Sequence, residues 1–102
     1  MENMHVSVIV PAFNEAKALP ELLERIDRTL EKCSGAYEIV IIDDGSTDQT
    51  PEILRGLSTQ YPHMSAIRFR RNYGKTAALS EGFARAQGDF LITLDADLQD
   101  AP

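Results

Sequence analysis

A chain of 102 residues, 43% hydrophobic and 25% charged, has room for one domain with a single core and none for a second lobe. Its 16 acidic against 10 basic residues, a formal net charge of −6, argue against nucleic acid as a partner, since such binding relies on Lys and Arg neutralising phosphates. Cys33 is the one cysteine, which excludes an intrachain disulfide and a cysteine-based zinc site and fits a reducing, intracellular compartment.

The residues Met1 to His5 lack a basic n-region, and the apolar run after them breaks at Pro11, too early for a signal peptide. Nothing approaches the roughly 18 apolar residues of a membrane span, so the chain as given is expected to be soluble and cytoplasmic. Val6 to Val10 is a β-branched run stopped by Pro11 and reads as a buried first strand. Leu19, Leu22, Leu23, Ile26 and Leu30 then fall on one helical face, opposite Glu21, Glu24, Arg25 and Arg28. That helix is expected to end near Cys33-Ser34-Gly35.

Glu38 to Ile42 reads as the second strand, and Asp43-Asp44-Gly45-Ser46 supplies turn chemistry after it. Thr50 followed by Pro51 suits a helix start, with proline at the first helical position and Ile53, Leu54 and Leu57 as the buried stripe. Ser65 to Phe69 alternates rather than running continuously, as expected of a third strand nearer a sheet edge. From Lys75 to Gln87, Ala78, Leu79, Gly82, Phe83 and Ala86 mark one face of a third helix, with Gly88 placed for a left-handed C-terminal cap. Phe90 to Leu94 is the fourth strand. Strands alternating with helices across short loops predict an α/β fold: an open parallel sheet with flanking helices and right-handed crossovers. The chain stops a few residues beyond that strand, leaving it uncovered, which predicts self-association through the open edge.

In an open parallel sheet, ligands bind outside the carboxyl ends of the strands, where strand order reverses. Three of those ends are unusually polar: Pro11 to Glu15, Asp43 to Asp48, and Asp95 to Asp100. In Asp95-Ala96-Asp97 two carboxylates stand two residues apart as a strand opens. Hard oxygen donors of this kind suit Mg²⁺ or Mn²⁺, an ion that bridges and neutralises a diphosphate, which reconciles an acidic protein with an anionic ligand. The alternative is a solvated turn. Asp43-Asp44 is either a turn and capping pair or, because adjacent carboxylates repel, an acceptor for a nucleobase N–H. Glu15 is either a surface residue at a helix entrance or an acceptor for ribose hydroxyls, and Asn14 either a turn residue or part of the same loop site. Gly74-Lys75-Thr76 resembles the tail of a P-loop, but Phe69 stands where that motif needs glycine, so a P-loop is rejected. Lys75 is then either solvated or close to a diphosphate. No G-x-G-x-x-G follows the first strand, and His5 and His63 have no partner for a triad.

Taken together, Val6 to Glu15, Glu38 to Asp48, Asn72-Tyr73-Gly74-Lys75 and Leu94 to Asp100 resemble the family 2 glycosyltransferases, and within them the polyprenyl-phosphate sugar transferases that use dolichyl or undecaprenyl phosphate. The resemblance runs over essentially the whole chain. It implies the Rossmann-like, nucleotide-binding half of a GT-A fold with strand order 3-2-1-4, residues 1–102 being the N-terminal part of a longer catalytic domain. It further implies that Pro11, Phe13 and Glu15 line base and ribose, that Ile42 and Asp44 meet the base, and that Asp95 and Ala96 meet ribose and diphosphate. Asp97 also belongs to that nucleotide-sugar site and, with Gln99, ligates Mg²⁺ or Mn²⁺. The implied reaction moves a sugar, with inversion, from a UDP- or GDP-linked donor to a polyprenyl phosphate, in a parent enzyme at the cytoplasmic face of the membrane. The acceptor half and any catalytic base lie outside the sequence, so this chain by itself is expected to bind nucleotide weakly and not to transfer sugar. Two rivals remain: a non-catalytic nucleotide-binding scaffold, and a haloacid-dehalogenase-like phosphatase, whose D-x-D normally follows the first core strand.

Overall fold

The computed structural model describes residues 5–32 and 36–96. Seven elements alternate along it: β1 (Val6–Ala12), α1 (Leu19–Glu31), β2 (Tyr37–Asp43), α2 (Thr50–Gln60), β3 (Met64–Arg68), α3 (Lys75–Arg85) and β4 (Phe90–Thr93). The strands form one sheet in the order β3-β2-β1-β4, and every neighbouring pair is parallel. Strand order therefore reverses between β1 and β4.

Pleating sends alternate residues of β1 and β2 to opposite faces, and both faces are covered. Val8, Val10 and Ala12 of β1, with Ile39 and Ile41 of β2, pack under Leu19, Leu22, Leu23 and Ile26 of α1 and Leu54 and Leu57 of α2. Ile9, Val40 and Ile42 face the other way and pack against Ala78 of α3. Two helices on one face and the third on the other follow from right-handed crossovers when the chain reverses direction after β3.

α1 holds through its buried stripe. Each fully buried Leu or Ile contributes about 1.5–3 kcal/mol, whereas the exposed Glu21–Arg25 and Glu24–Arg28 pairs, both at 2.6 Å, contribute about 0.3–0.5 kcal/mol each. Pro20 sits in the first turn, where its missing N–H has no intrahelical partner to lose.

α3 uses small residues instead. Ala78 and Gly82 are its buried positions, and a Cβ on Gly82 would run into Ile9 Cγ2 and lie 3.0 Å from Ile42 Cδ1. The helix thus lies close against β1 and β2. Phe83, expected on this face, is 46% exposed, because an approach that close leaves no space for a ring.

Gly88 is not a left-handed cap. Among the described residues only Gly45, Gly74 and Asn14 have positive φ, and α3 ends at Ala86 in extended conformation. What Gly88 permits is contact: a Cβ there would lie 2.7 Å from Ser7 Oγ and 2.9 Å from His5 O. The Gly88 N–H donates to Ser7 Oγ (2.8 Å), Ser7 donates to Glu38 Oε2 (2.6 Å), and Gln87 N–H donates to the same oxygen (2.7 Å). This polar knot pins the α3–β4 connection to the amino end of the sheet.

Other boundaries moved slightly. β3 begins at Met64 and ends at Arg68, one residue earlier than the alternation predicts, and its edge position agrees with that pattern. α2 is preceded by Gln49 as cap, with Thr50 inside the helix, because Asp48 Oδ1 accepts the Thr50 N–H at 2.8 Å. β4 ends at Thr93, although Leu94 N–H still donates to Ile9 O at 3.0 Å. All four β4 residues are exposed. Cys33, Ser34 and Gly35, at the expected end of α1, lie outside the described residues.

Candidate functional site

Two loops meet over the carboxyl ends of β1 and β2. Asn14, held at φ 55°, accepts through Oδ1 from the N–H groups of Thr47 (2.8 Å) and Asp48 (3.2 Å), while its own N–H donates to Ser46 Oγ (2.8 Å). Glu15 N–H donates to Thr50 Oγ1 (3.0 Å), and Asp44 N–H to Ala12 O (2.8 Å). Asn14 is thus a clasp between loops, and asparagine suits it because it tolerates the left-handed region better than other non-glycine residues. At Asp48, burial works to raise the carboxyl, but hydrogen bonds from the Thr50 side chain and backbone and from Ala16 outweigh it and hold the group below the usual carboxylate range.

A third segment is fixed from the side. Asp44, 4% exposed, accepts through its carboxylate from Tyr73 N (2.7 Å), Gly74 N (3.0 Å) and Asn72 Nδ2 (3.1 Å). Gly45, at φ 75°, lies flat against the Arg71 and Asn72 backbone, which a Cβ would strike. Asp43, 1% exposed, turns to the opposite face and accepts Ser46 N at 2.9 Å; its Oδ2 has no hydrogen-bond partner among the described residues. The repulsion expected between these two carboxylates is therefore relieved by divergence and by the chain's own donors.

These loops, with the ends of β1 and β4 and the start of α3, enclose a cavity of about 460 Å³. Pro11, Phe13, Glu15, Asp44, Asp95 and Ala96, all singled out from the sequence, line it. Ala12, Asn72, Gly74 and Lys75 complete the wall. Ile42 is absent from the lining: it is fully buried and packs against α3, since its pleat position turns it into the core. Asp97 and Gln99 lie outside the described residues.

The role of Lys75 was half visible in sequence. Its Nζ stands 2.6 Å from Asp95 Oδ1, both side chains more than half exposed. The pair joins the start of α3 to the end of β4. A cation at a helix start is disfavoured by the dipole, and α3 has no acidic residue in its first turn, so the counter-charge of Lys75 comes from Asp95 at the end of β4. Asn72, a lining residue and a donor to Asp44, carried no separate signal beyond its place beside Tyr73-Gly74.

Among the described residues no group of three or more His, Cys, Asp or Glu could hold an ion alone. What lines the cavity is a half-exposed Asp95, Glu15 and an Asp44 already engaged by Asn72, Tyr73 and Gly74. Such donors fit Mg²⁺ or Mn²⁺ held jointly with phosphate oxygens, the usual arrangement for a cation that keeps several waters and takes one or two carboxylates.

A parallel sheet with a polar cavity of about 460 Å³ at its switch point is the arrangement in which open α/β sheets bind nucleotides. Residues 7–102 match the profile of Glycosyl transferase family 2, and the chain belongs to that family. It is 46% identical over 98 residues to an undecaprenyl-phosphate 4-deoxy-4-formamido-L-arabinose transferase of Salmonella choleraesuis (strain SC-B67), covering 95% of this chain and 30% of that protein. Its fold matches the mannosyltransferase PcManGT of Pyrobaculum calidifontis, solved with GDP-Man and Mn²⁺, at TM-score 0.80 and 31% identity over 95% of this chain and 28% of that one. S. aureus TarS 1-349, solved with UDP-GlcNAc, matches at TM-score 0.76 and 29% identity over 92% of this chain and 27% of that one. The chain thus spans about 30% of the length of the curated relatives it matches. The fold is that of GT-A glycosyltransferases with strand order 3-2-1-4, as the resemblance implied, and family membership removes the phosphatase rival.

Proposed function

We propose that this chain forms the donor-binding part of a glycosyltransferase that moves a sugar from a UDP- or GDP-linked donor to a polyprenyl phosphate at the cytoplasmic face of a membrane. The observation that carries the reading is the cavity at the β1–β4 switch point, lined by Pro11, Phe13, Glu15, Asp44, Asp95 and Ala96 beside Lys75. Named ligands of the solved relatives, GDP-Man with Mn²⁺ and UDP-GlcNAc, and the lipid phosphate in the name of the Salmonella relative support it.

In this reading Phe13, 42% exposed, and Pro11 offer apolar surface to the base, and Glu15 accepts ribose hydroxyls. Asp44 acts on the base side through the Asn72–Gly74 wall that it holds. Lys75 and the open N–H groups of α3 face the diphosphate. Asp95 meets ribose and diphosphate, and Asp97 and Gln99 would hold Mg²⁺ or Mn²⁺, which would supply positive charge to a departing nucleoside diphosphate. A lipid phosphate acceptor is already an anion and has little need of a strong base. Residues 1–102 then make up the N-terminal part of a catalytic domain, and this length by itself is expected to bind nucleotide weakly and not to transfer sugar.

Titration calorimetry with UDP and GDP, with and without Mn²⁺, tests the reading. Binding that requires the metal and weakens strongly in Asp97→Ala is expected; unchanged affinity in that variant removes Asp97 from the site. The exposed β4 edge, with Phe90 53% exposed, supports concentration-dependent self-association of this length of chain, and a strictly monomeric species in sedimentation would refute it.

A further inference from the structure

Charge is segregated along this chain. Between Glu52 and Glu81 there is no Asp or Glu, and five cationic residues, Arg55, Arg68, Arg70, Arg71 and Lys75, fall in that interval of an otherwise strongly acidic protein. The fold gathers most of them on one rim. Arg68 ends the edge strand β3, Arg70 and Arg71 follow it in the loop, and Lys75 opens α3 inside the cavity.

Among the described residues the arginines of this rim, like Arg55, have no ion-pair partner, unlike the arginines of α1 and α3. Arg25, Arg28 and Arg85 each pair with a glutamate one turn earlier, and Lys75 pairs with Asp95. Among the described residues Arg68, Arg70 and Arg71 enter no ion pair, and all three are exposed. Their loop is held in place nonetheless: Asp44 binds Asn72, Tyr73 and Gly74, Gly45 abuts the Arg71 backbone, and the Arg71 guanidinium lies 5.1 Å from the centre of the Tyr73 ring. Tyr73 itself is 54% exposed. A fixed basic loop with a half-exposed aromatic residue has the composition of a bilayer-interface contact, in which arginines meet lipid phosphates and the ring sits at headgroup level.

We propose that Arg68, Arg70, Arg71 and Tyr73 dock the protein on an anionic lipid surface, with the donor cavity beside the contact. The identity of the surface rests on the lipid-phosphate reading above; the basic rim does not. The net charge of −6 opposes approach only weakly at physiological salt. The Debye length there is about 8 Å, whereas even the smallest dimension of the molecule is 25 Å, so the acidic far side is screened. The same net charge disfavours long polyanions such as RNA, which would extend past the rim onto acidic surface.

The test is sedimentation of the protein with vesicles of phosphatidylglycerol and phosphatidylcholine, compared with phosphatidylcholine alone. Binding to the anionic vesicles only, lost on raising salt, is expected. A cation near such a surface contributes roughly fivefold to partitioning, so the triple variant R68Q/R70Q/R71Q should partition on the order of 100-fold less. R68K/R70K/R71K should retain binding within about threefold, and R25Q/R28Q, which removes paired cations elsewhere, should change it by less than about twofold. Equal loss in R25Q/R28Q and in the triple glutamine variant, equal binding to neutral vesicles, or preference for single-stranded RNA over vesicles would overturn the proposal. UDP and GDP calorimetry on the triple glutamine variant separates the two readings: retained nucleotide binding with lost vesicle binding is the expected pattern, and vesicle binding without any nucleotide binding by the parent protein would count against the donor site alone.

Discussion

The Asp44 carboxylate accepts the Tyr73 backbone N–H at 2.7 Å across 29 residues of sequence, joining the end of β2 to the loop that precedes α3. Because Asp44 is buried and also takes Gly74 N, its removal leaves the Tyr73 and Gly74 N–H groups without that acceptor, while Asn72 Nδ2, which donates to the same carboxylate, keeps the Asp44 carbonyl oxygen at 3.2 Å. Hydrogen bonds to a charged group contribute about 1.5–3 kcal/mol each and are not additive. Asp44→Ala should therefore lower the unfolding free energy by about 3 kcal/mol in urea denaturation, and any nucleotide affinity should fall with it. A loss below about 0.5 kcal/mol would show that the Asn72–Gly74 wall is held by something else.

Gly45 and Gly56 make opposite predictions from one substitution. Gly45→Ala combines a positive φ with a clash against Arg71 and Asn72 backbone, which cannot rotate away, and should destabilise by about 2 kcal/mol or more. Gly56 lies within α2 with no atom within 4 Å of an added Cβ, so Gly56→Ala should stabilise by about 0.5–1 kcal/mol. Thermal unfolding of the two variants side by side checks both.

Burial, and then the hydrogen bond that Tyr37 donates to Asp27 at 2.6 Å, push the Tyr37 phenol up from 10.0 to about 12. Since the folded value exceeds the unfolded one, the stabilisation is fully present below pH 10 and is lost as pH rises through about 12. Stability of the parent should fall more steeply than that of Tyr37→Phe across that window, and tyrosinate absorbance should show one of the three tyrosines ionising late. Parallel pH curves for parent and variant would contradict the assignment.

The Lys75–Asp95 pair is more than half exposed on both sides, so breaking it should cost less than about 1 kcal/mol of stability. Lys75→Met is expected to leave urea denaturation nearly unchanged while weakening UDP or GDP binding by roughly tenfold, or about 1.4 kcal/mol. Unaltered nucleotide affinity would make Lys75 a strand-to-helix tie and nothing more.

Much of this was legible in the residues because β1 and β2 are largely β-branched runs that only a doubly covered strand can bury, and because the turn after Asp43 marks the end of β2; Pro11, by contrast, does not stop β1, which pairs on through Pro11 and Ala12. The cavity lining was legible for the same reason: Phe13, Glu15 and Asp95 stand in loops, where the strand's end fixes location. Direction was harder. Ile42 lies one pleat step from Asp43, and local pattern does not say which of two covered faces a residue meets. Gly88 was misread because a glycine after a helix serves a cap or a close contact equally well, and only the approach of Ser7 distinguishes them. The donors that Asp44 meets within the chain come from a segment 28 to 30 residues away, a distance over which spacing carries no information.

Because the Asn14 amide grips Thr47 and Asp48 while its N–H grips Ser46, residues 13–15 and 46–48 are tied into one clasp. Transplanting either stretch alone from a relative would break the clasp, so any redesign of this rim has to move the two together.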